Sequence, residues 1–196
     1  MADICDFKLA QDMGASCETP SVAGLKNKGV LINYDDVDFD KLKYSETNKN
    51  IVETFALKTG ARAYSVYMPG KTPFTGTQKA LVEGTYRNKF EKTVALVILD
   101  NGPEVSKDVI DPLANGKFVA ILENEYQGKN KDNTFEIFGL EQGLVAQEMT
   151  DDKYSEDTDG GWAVSLHELN APTSGLYFFN ASVEATRSAL EEMLTI

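Results

Sequence analysis

"FEKTVALVILD", residues 90–100, closes on six apolar side chains in a row, Val94 to Leu99. A strand with one wet face alternates apolar and polar residues, so an unbroken run of this length predicts a strand covered on both faces. It takes the central place in the expected sheet. On its C-terminal side, "GPEVSKDVIDPL" (102–113) opens with a Gly-Pro breaker and spaces Val105, Val109 and Ile110 at helical intervals. A short surface helix fits, ended by Pro112. "KFVAILENEY" (117–126) and "TFEIFGL" (134–140) are strand patterns joined by the polar loop "QGKNKDN", the signature of a hairpin with a long tip. "LVAQEMT" (144–150) reads as another strand.

Working toward the N-terminus, strands are expected at 29–34 in "GVLINYDDVDFD", at "IVETFAL" (51–57), at "ARAYSVYM" (61–68) and at "KALVEGTY" (79–86). Gly60 and the stretch from Pro69 to Gly76 mark the turns between them. Residues 1–28 hold Gly14, Pro20 and Gly24 and no sustained period, which predicts an extended arm. At the other end, "SVEATRSALEEML" puts Val183, Leu190 and Met193 or Leu194 on one stripe. That is an amphipathic helix over 181–194, with Asn180 or Ser182 as its cap. Residues 1–196 thus read as one mainly β domain, an antiparallel β-sandwich or small barrel of about nine strands with a short helix and a C-terminal helix.

Bulk properties exclude several function classes. The chain carries 31 acids against 19 bases, a net charge of -12, so its surface as a whole repels nucleic acid. No apolar run approaches the roughly 20 residues that span a bilayer, and no membrane partner is expected. "MADICDFKLAQDMG" places acids where a signal peptide needs a basic flank, which points to folding in a cytoplasm. Cys5 and Cys17 are too few and too close for a disulfide framework or a four-ligand zinc site, and they read as free or buried thiols.

One stretch concentrates possible chemistry: "YSEDTDGGWAVSLHEL", 154–169, with the only tryptophan and the only histidine. Asp157, Asp159 and Glu168 stand at positions one, three and twelve of a calcium loop. Gly161 and Trp162, however, occupy positions five and six, where an oxygen ligand and a glycine belong. An exposed acidic turn is the simpler reading, with the paired glycines turning the chain into a strand that begins at Trp162. Alternation then puts Trp162, Val164 and Leu166 on one face and Ser165 and His167 on the other. His167 therefore belongs to a polar strand face, with no orienting partner or nucleophile in sight. Nothing matches a hydrolase elbow, a P-loop, a zincin or a dinucleotide fingerprint, so no catalytic, metal or cofactor residues are expected. Tyr177, Phe178 and Phe179 in "GLYFFN" read as core and helix-packing residues rather than a base-stacking platform, since no basic residues interleave them.

"GLKNKGVLINYDDV", "GARAYSVYM" and the long run "FVAILENEYQGKNKDNTFEIFGLEQGLVAQEMTDDKYSEDTDGGWAVSLHEL" together resemble the tail-tube or neck-ring virion proteins of tailed phages that infect Bacteroidales, crAss-like phages included. The likeness lies in pattern and layout and spans most of the chain. It implies a sandwich or small barrel with a flanking helix, whose copies join their sheets into a ring around a lumen. The expected partners are copies of itself, neighbouring tail or neck proteins, and DNA passing through without specific binding. The implied location is the virion, after synthesis and assembly in the host cytoplasm. The competing expectation is a capsid decoration or host-surface binding module.

Overall fold

The computed structural model describes residues 8–14, 17 and 19–195. Eleven strands form two sheets: β1 (Leu25–Asn33), β2 (Lys43–Tyr44), β3 (Ile51–Thr54), β4 (Tyr64–Tyr67), β5 (Phe74–Val82), β6 (Lys89–Ile98), β7 (Phe118–Asn124), β8 (Phe135–Phe138), β9 (Val145–Asp151), β10 (Trp162–Ala171) and β11 (Leu176–Phe178). The larger sheet has the order β2-β3-β11-β8-β7-β1-β4 and the smaller β5-β6-β10-β9. All pairings between these strands are antiparallel except β11 with β3. The molecule is a sandwich of two open sheets, mainly β as expected, and not a barrel.

Three layers follow from which side chains alternate inward. On β7, Val119 and Ile121 point into one apolar cluster, together with Val183, Leu190 and Met193 of the C-terminal helix α3 (Val183–Leu194). Its alternate residues Phe118, Ala120 and Leu122 point into a second cluster between the sheets, with Val94, Leu96, Val164 and Leu166. The strand buried on both faces is therefore β7 and not β6, which corrects the reading of residues 90–100. β6 alternates over residues 91–96: Lys92, Val94 and Leu96 are buried, while Glu91, Thr93 and Ala95 on its other face are only half-buried; Val97, farther along that other face, is buried. Ala95 is small enough to sit on an open face, and a run of apolar letters does not separate it from a buried valine. Each fully buried Ile or Leu of these clusters contributes about 2 kcal/mol by leaving water.

Several boundaries differ from the expectation for identifiable reasons. β1 begins at Leu25, inside the expected 1–28 arm, pairing with Asn124 before a ladder irregularity; at Gly29 the backbone packs where a side chain would strike Phe74 and Leu122 at 2.7 and 2.8 Å. Residues 1–7, including Cys5, lie outside the described residues. The strand expected at 79–86 starts earlier, at Phe74, and the loop expected up to Gly76 is correspondingly shorter. β2 and β11, with two and three residues, are too short to show a period.

Pro112 does not end its helix. The helical stretch runs as α1 (Pro103–Val105), a π turn (Ser106–Ile110) and α2 (Asp111–Asn115). A proline lacks the N–H and crowds the carbonyl of the preceding turn, and the widened π turn accommodates both. The stretch carries the chain from β6 to β7, that is from one sheet to the other, and lays Leu113 into the inter-sheet core. At α3, Ser182 Oγ accepts from the Ala185 N–H at 3.1 Å, so of the two expected caps, Asn180 and Ser182, it is Ser182 that caps the helix.

Candidate functional site

The smaller sheet is fastened to the larger by a buried charge centre. Alternation that turns Leu166 inward turns Glu168 inward as well, and across the ladder Glu168 faces Lys92 of β6. Glu168 is fully buried and Lys92 is 1% exposed. Lys92 Nζ lies 3.4 Å from Glu168 Oε2 and 2.9 Å from Glu141 Oε2. The Glu168 carboxylate also accepts three backbone N–H groups, from Gly139 at 3.1 Å, Glu141 at 3.0 Å and Gln142 at 2.8 Å. Thr173 Oγ1 donates to Glu141 Oε2 at 3.0 Å. A buried charge persists only when paired and hydrogen-bonded, and these partners do both. The carboxylate is an anchor that holds the turn after β8 against β10.

A second link lies on the same inter-sheet side. Lys79 of β5 pairs with Glu136 of β8. Tyr177 of β11 lies beside them with its phenol pushed up to about 12, first by burial and then by the Glu136 carboxylate. Tyr177 and Phe178 thus separate: Phe178 is buried in the cluster under α3, whereas Tyr177 faces the other sheet. Phe179 packs partly buried against the Phe178 cluster.

The residues of the calcium-like pattern do not converge. Asp157 and Asp159 sit in the exposed turn before Trp162, and Glu168 is engaged with Lys92 six residues along β10. Gly160 has φ +72°, and a Cβ at Gly161 would lie 2.3 Å from the Ile98 carbonyl oxygen, so both glycines are needed to bring the turn onto β6. Among the described residues no three His, Cys, Asp or Glu side chains are grouped as a metal ion would need. Cys17 is exposed. His167 lies on the outward face of the smaller sheet, its Nδ1 3.5 Å from Glu91 Oε1. Sequence reasoning missed Lys92 as a buried partner. The signal was its place two residues before Val94, on the same face of the strand.

The outward face and the edges of the smaller sheet are the remaining feature with functional content. Register gives its rows from edge to edge: Gln78, Thr93, His167 and Val145 in one, Gly76, Ala95, Ser165 and Glu148 in the next. These are short or polar side chains with charges of both signs nearby. Among the described residues both edge strands have a strand neighbour on one side only, nine residues of β5 and seven of β9, and α2 packs against β9. Proline is absent from both. The one lysine of β5 is Lys79, and its ammonium turns inward to Glu136 rather than guarding the edge. β9 has a ladder irregularity at Gln147.

The architecture and this sheet define a helix-backed β-sandwich with two open edges on one sheet. Comparison of the chain with family models, with curated proteins and with solved structures gave no match. No helix among the described residues is long and apolar enough to cross a membrane.

Proposed function

We propose that the protein is a structural subunit of a tailed phage, in the tail or the head-tail connection, whose copies join through their smaller sheets into a ring or tube around a DNA conduit. The observation that carries this reading is the pair of open edges on β5 and β9. An unpaired strand edge of this length invites pairing, and isolated proteins blunt it with proline, outward lysines or a covering element. β5 has none of these, and its only ladder irregularity lies at one end, between Phe74 and Gly76. Because the sheet has four antiparallel strands, β5 and β9 run in opposite directions. Laying β9 of one copy beside β5 of the next therefore continues the antiparallel ladder. Repeating that head-to-tail contact by rotation closes a ring.

In such a ring the outward face of the smaller sheet lines the lumen. Its rows of Gln78, Thr93, Ala95, Ser165 and Glu148 offer no cluster of lysine or arginine to hold phosphate, and the net charge of -12 opposes adhesion further. The partners are then copies of the same chain and the neighbouring tail or neck proteins, and no catalytic residue is assigned. Lysines placed on the edge test the reading. Ala80→Lys with Val82→Lys changes two residues on the outward face of β5, Val82 being 43% exposed. Negative-stain images should lose closed rings while the melting temperature stays within about 2 °C. Rings that form equally well would show that this edge is not the contact.

A further inference from the structure

A groove of about 380 Å³ lies on the α3 side of the larger sheet, between that helix and β1. Its floor is apolar, formed by Val30, Ile121, Phe135 and Leu190 of the cluster beneath α3. Its rim is positive. Arg187 Nη2 and Lys26 Nζ share one oxygen, Glu123 Oε1, at 2.7 and 3.0 Å, so a single carboxylate serves two cations. Lys28 makes no ion pair among the described residues, and its ammonium lies 5.6 Å from the centroid of the Tyr67 ring. Glu191 is the one further acid among the lining residues. The groove thus carries more cations than carboxylates on a chain whose net charge is -12.

The same chain holds the complement of this groove. In "TDDKYSEDTDG", residues 150–160, five acids stand against one lysine, and Tyr154 among them is 95% exposed. An aromatic ring surrounded by carboxylates suits an apolar floor with a positive rim, the ring through burial and the acids through charge. Tyr86 is fully exposed as well, but Arg87 and Lys89 follow it and it lacks that match.

The turn cannot reach the groove of its own chain. Lys153 Nζ bonds Asp151 Oδ1 at 2.8 Å and Asn101 Oδ1 at 3.2 Å, and Asn101 Nδ2 donates to the Gly160 carbonyl at 3.2 Å. With Gly161 packed on the backbone at Ile98, the turn is fixed to the end of the smaller sheet. The groove lies beyond the larger sheet, whose two faces carry the two separate apolar clusters. Tyr154 meets such a groove only on another copy.

We infer that the acidic turn of one copy docks on a second copy, with Tyr154 entering the groove between α3 and β1 while Asp152, Glu156 and Asp157 face Lys28 and Arg187. This goes beyond the β5–β9 ladder and needs only a second copy. The ladder extends the smaller sheet sideways, whereas the turn projects from the ends of β9 and β10, so the two contacts use separate parts of the surface.

The test introduces Asp157→Cys and Glu191→Cys, both at exposed positions, into the full chain carrying Cys5→Ser and Cys17→Ser. After oxidation, electrophoresis without reductant separates linked chains from single ones, and peptide mass spectrometry identifies the disulfide between positions 157 and 191. Links between chains should form about tenfold faster than in an Asp157→Cys, Tyr86→Cys control, and adding Tyr154→Ala should slow them about tenfold, the loss typical of a buried aromatic anchor. Raising the salt from about 0.05 to about 0.5 M should slow them too, because the facing charges are screened. Links within one chain, no links, the control rate, or a rate indifferent to Tyr154→Ala or to salt would overturn the docking. Rings without these links overturn it and leave the ring reading standing; links without rings support it and count against the ring reading alone.

Discussion

Replacing Lys92 by methionine keeps the length and apolar stem of the side chain and removes only the ammonium from the buried centre. Glu168 is then a fully buried carboxylate without a counter-charge, and Glu141 loses its partner at 2.9 Å. Breaking a buried ion pair by deleting one member costs about 3–5 kcal/mol. The lower end applies here, because Glu168 keeps its three backbone N–H donors. For a chain of this length each kcal/mol moves the melting temperature by about 2–4 °C, so a fall of about 6–12 °C is expected. The assay is a thermal melt at pH 7 followed by circular dichroism. Lys107→Met is its control, since Lys107 pairs with Asp108 at the surface, 82 and 63% exposed, and surface pairs contribute about 0–1 kcal/mol. Adding Glu168→Gln to the Lys92 variant removes the orphaned charge and should restore part of the loss. A fall of less than about 2 °C for Lys92→Met would refute the view that this centre fastens the two sheets.

Three further outcomes follow from particular residues. Tyr177 has its phenol raised to about 12, whereas an unfolded chain ionises it near about 10. Between those values only the unfolded state has lost the proton, so stability falls as pH rises through the window, and urea midpoints of Tyr177→Phe should fall less there than those of the parent. Gly139 has φ +83° and a Cβ there would lie 2.5 Å from the Phe118 carbonyl oxygen, so Gly139→Ala should lower the stability read from urea unfolding by about 1–3 kcal/mol. Gly60→Ala, at φ +82° in open space, should lower it less. The purified protein should not shift duplex DNA in a gel at about 0.15 M salt; tight, salt-sensitive binding would count against a conduit.

Much of the fold was legible because alternation and helical spacing report burial directly. The strand from Trp162, the hairpin around residues 127–133 and the C-terminal helix with its Ser182 cap all stand out as local patterns. What was not legible depends on the second face. Residues 94–99 and 118–122 are both continuous apolar runs, and only the sheet order shows that the latter lies between α3 and the smaller sheet while the former has one face that is half-exposed at Ala95 and covered at Val97. The start of β5 was hidden by glycine, threonine and proline, which are turn residues in most settings but here lead into and form an edge strand. Glu168 enters the sequence reading only as position twelve of a calcium loop that Gly161 and Trp162 rule out, although its alternation with Val164 and Leu166 already placed it inward. Its partners came from β6 and from the turn after β8, contacts that sequence order does not reveal.

Assembly itself is the most direct test of the functional reading. The full-length protein, concentrated to the micromolar range, should appear by negative-stain microscopy as closed rings or stacks of rings of uniform diameter. Native mass spectrometry of the same sample should give one discrete multiple of the 21.6 kDa chain. A monomer at every concentration, with β5 and β9 remaining open, would contradict the ring and favour a decoration or surface-binding module.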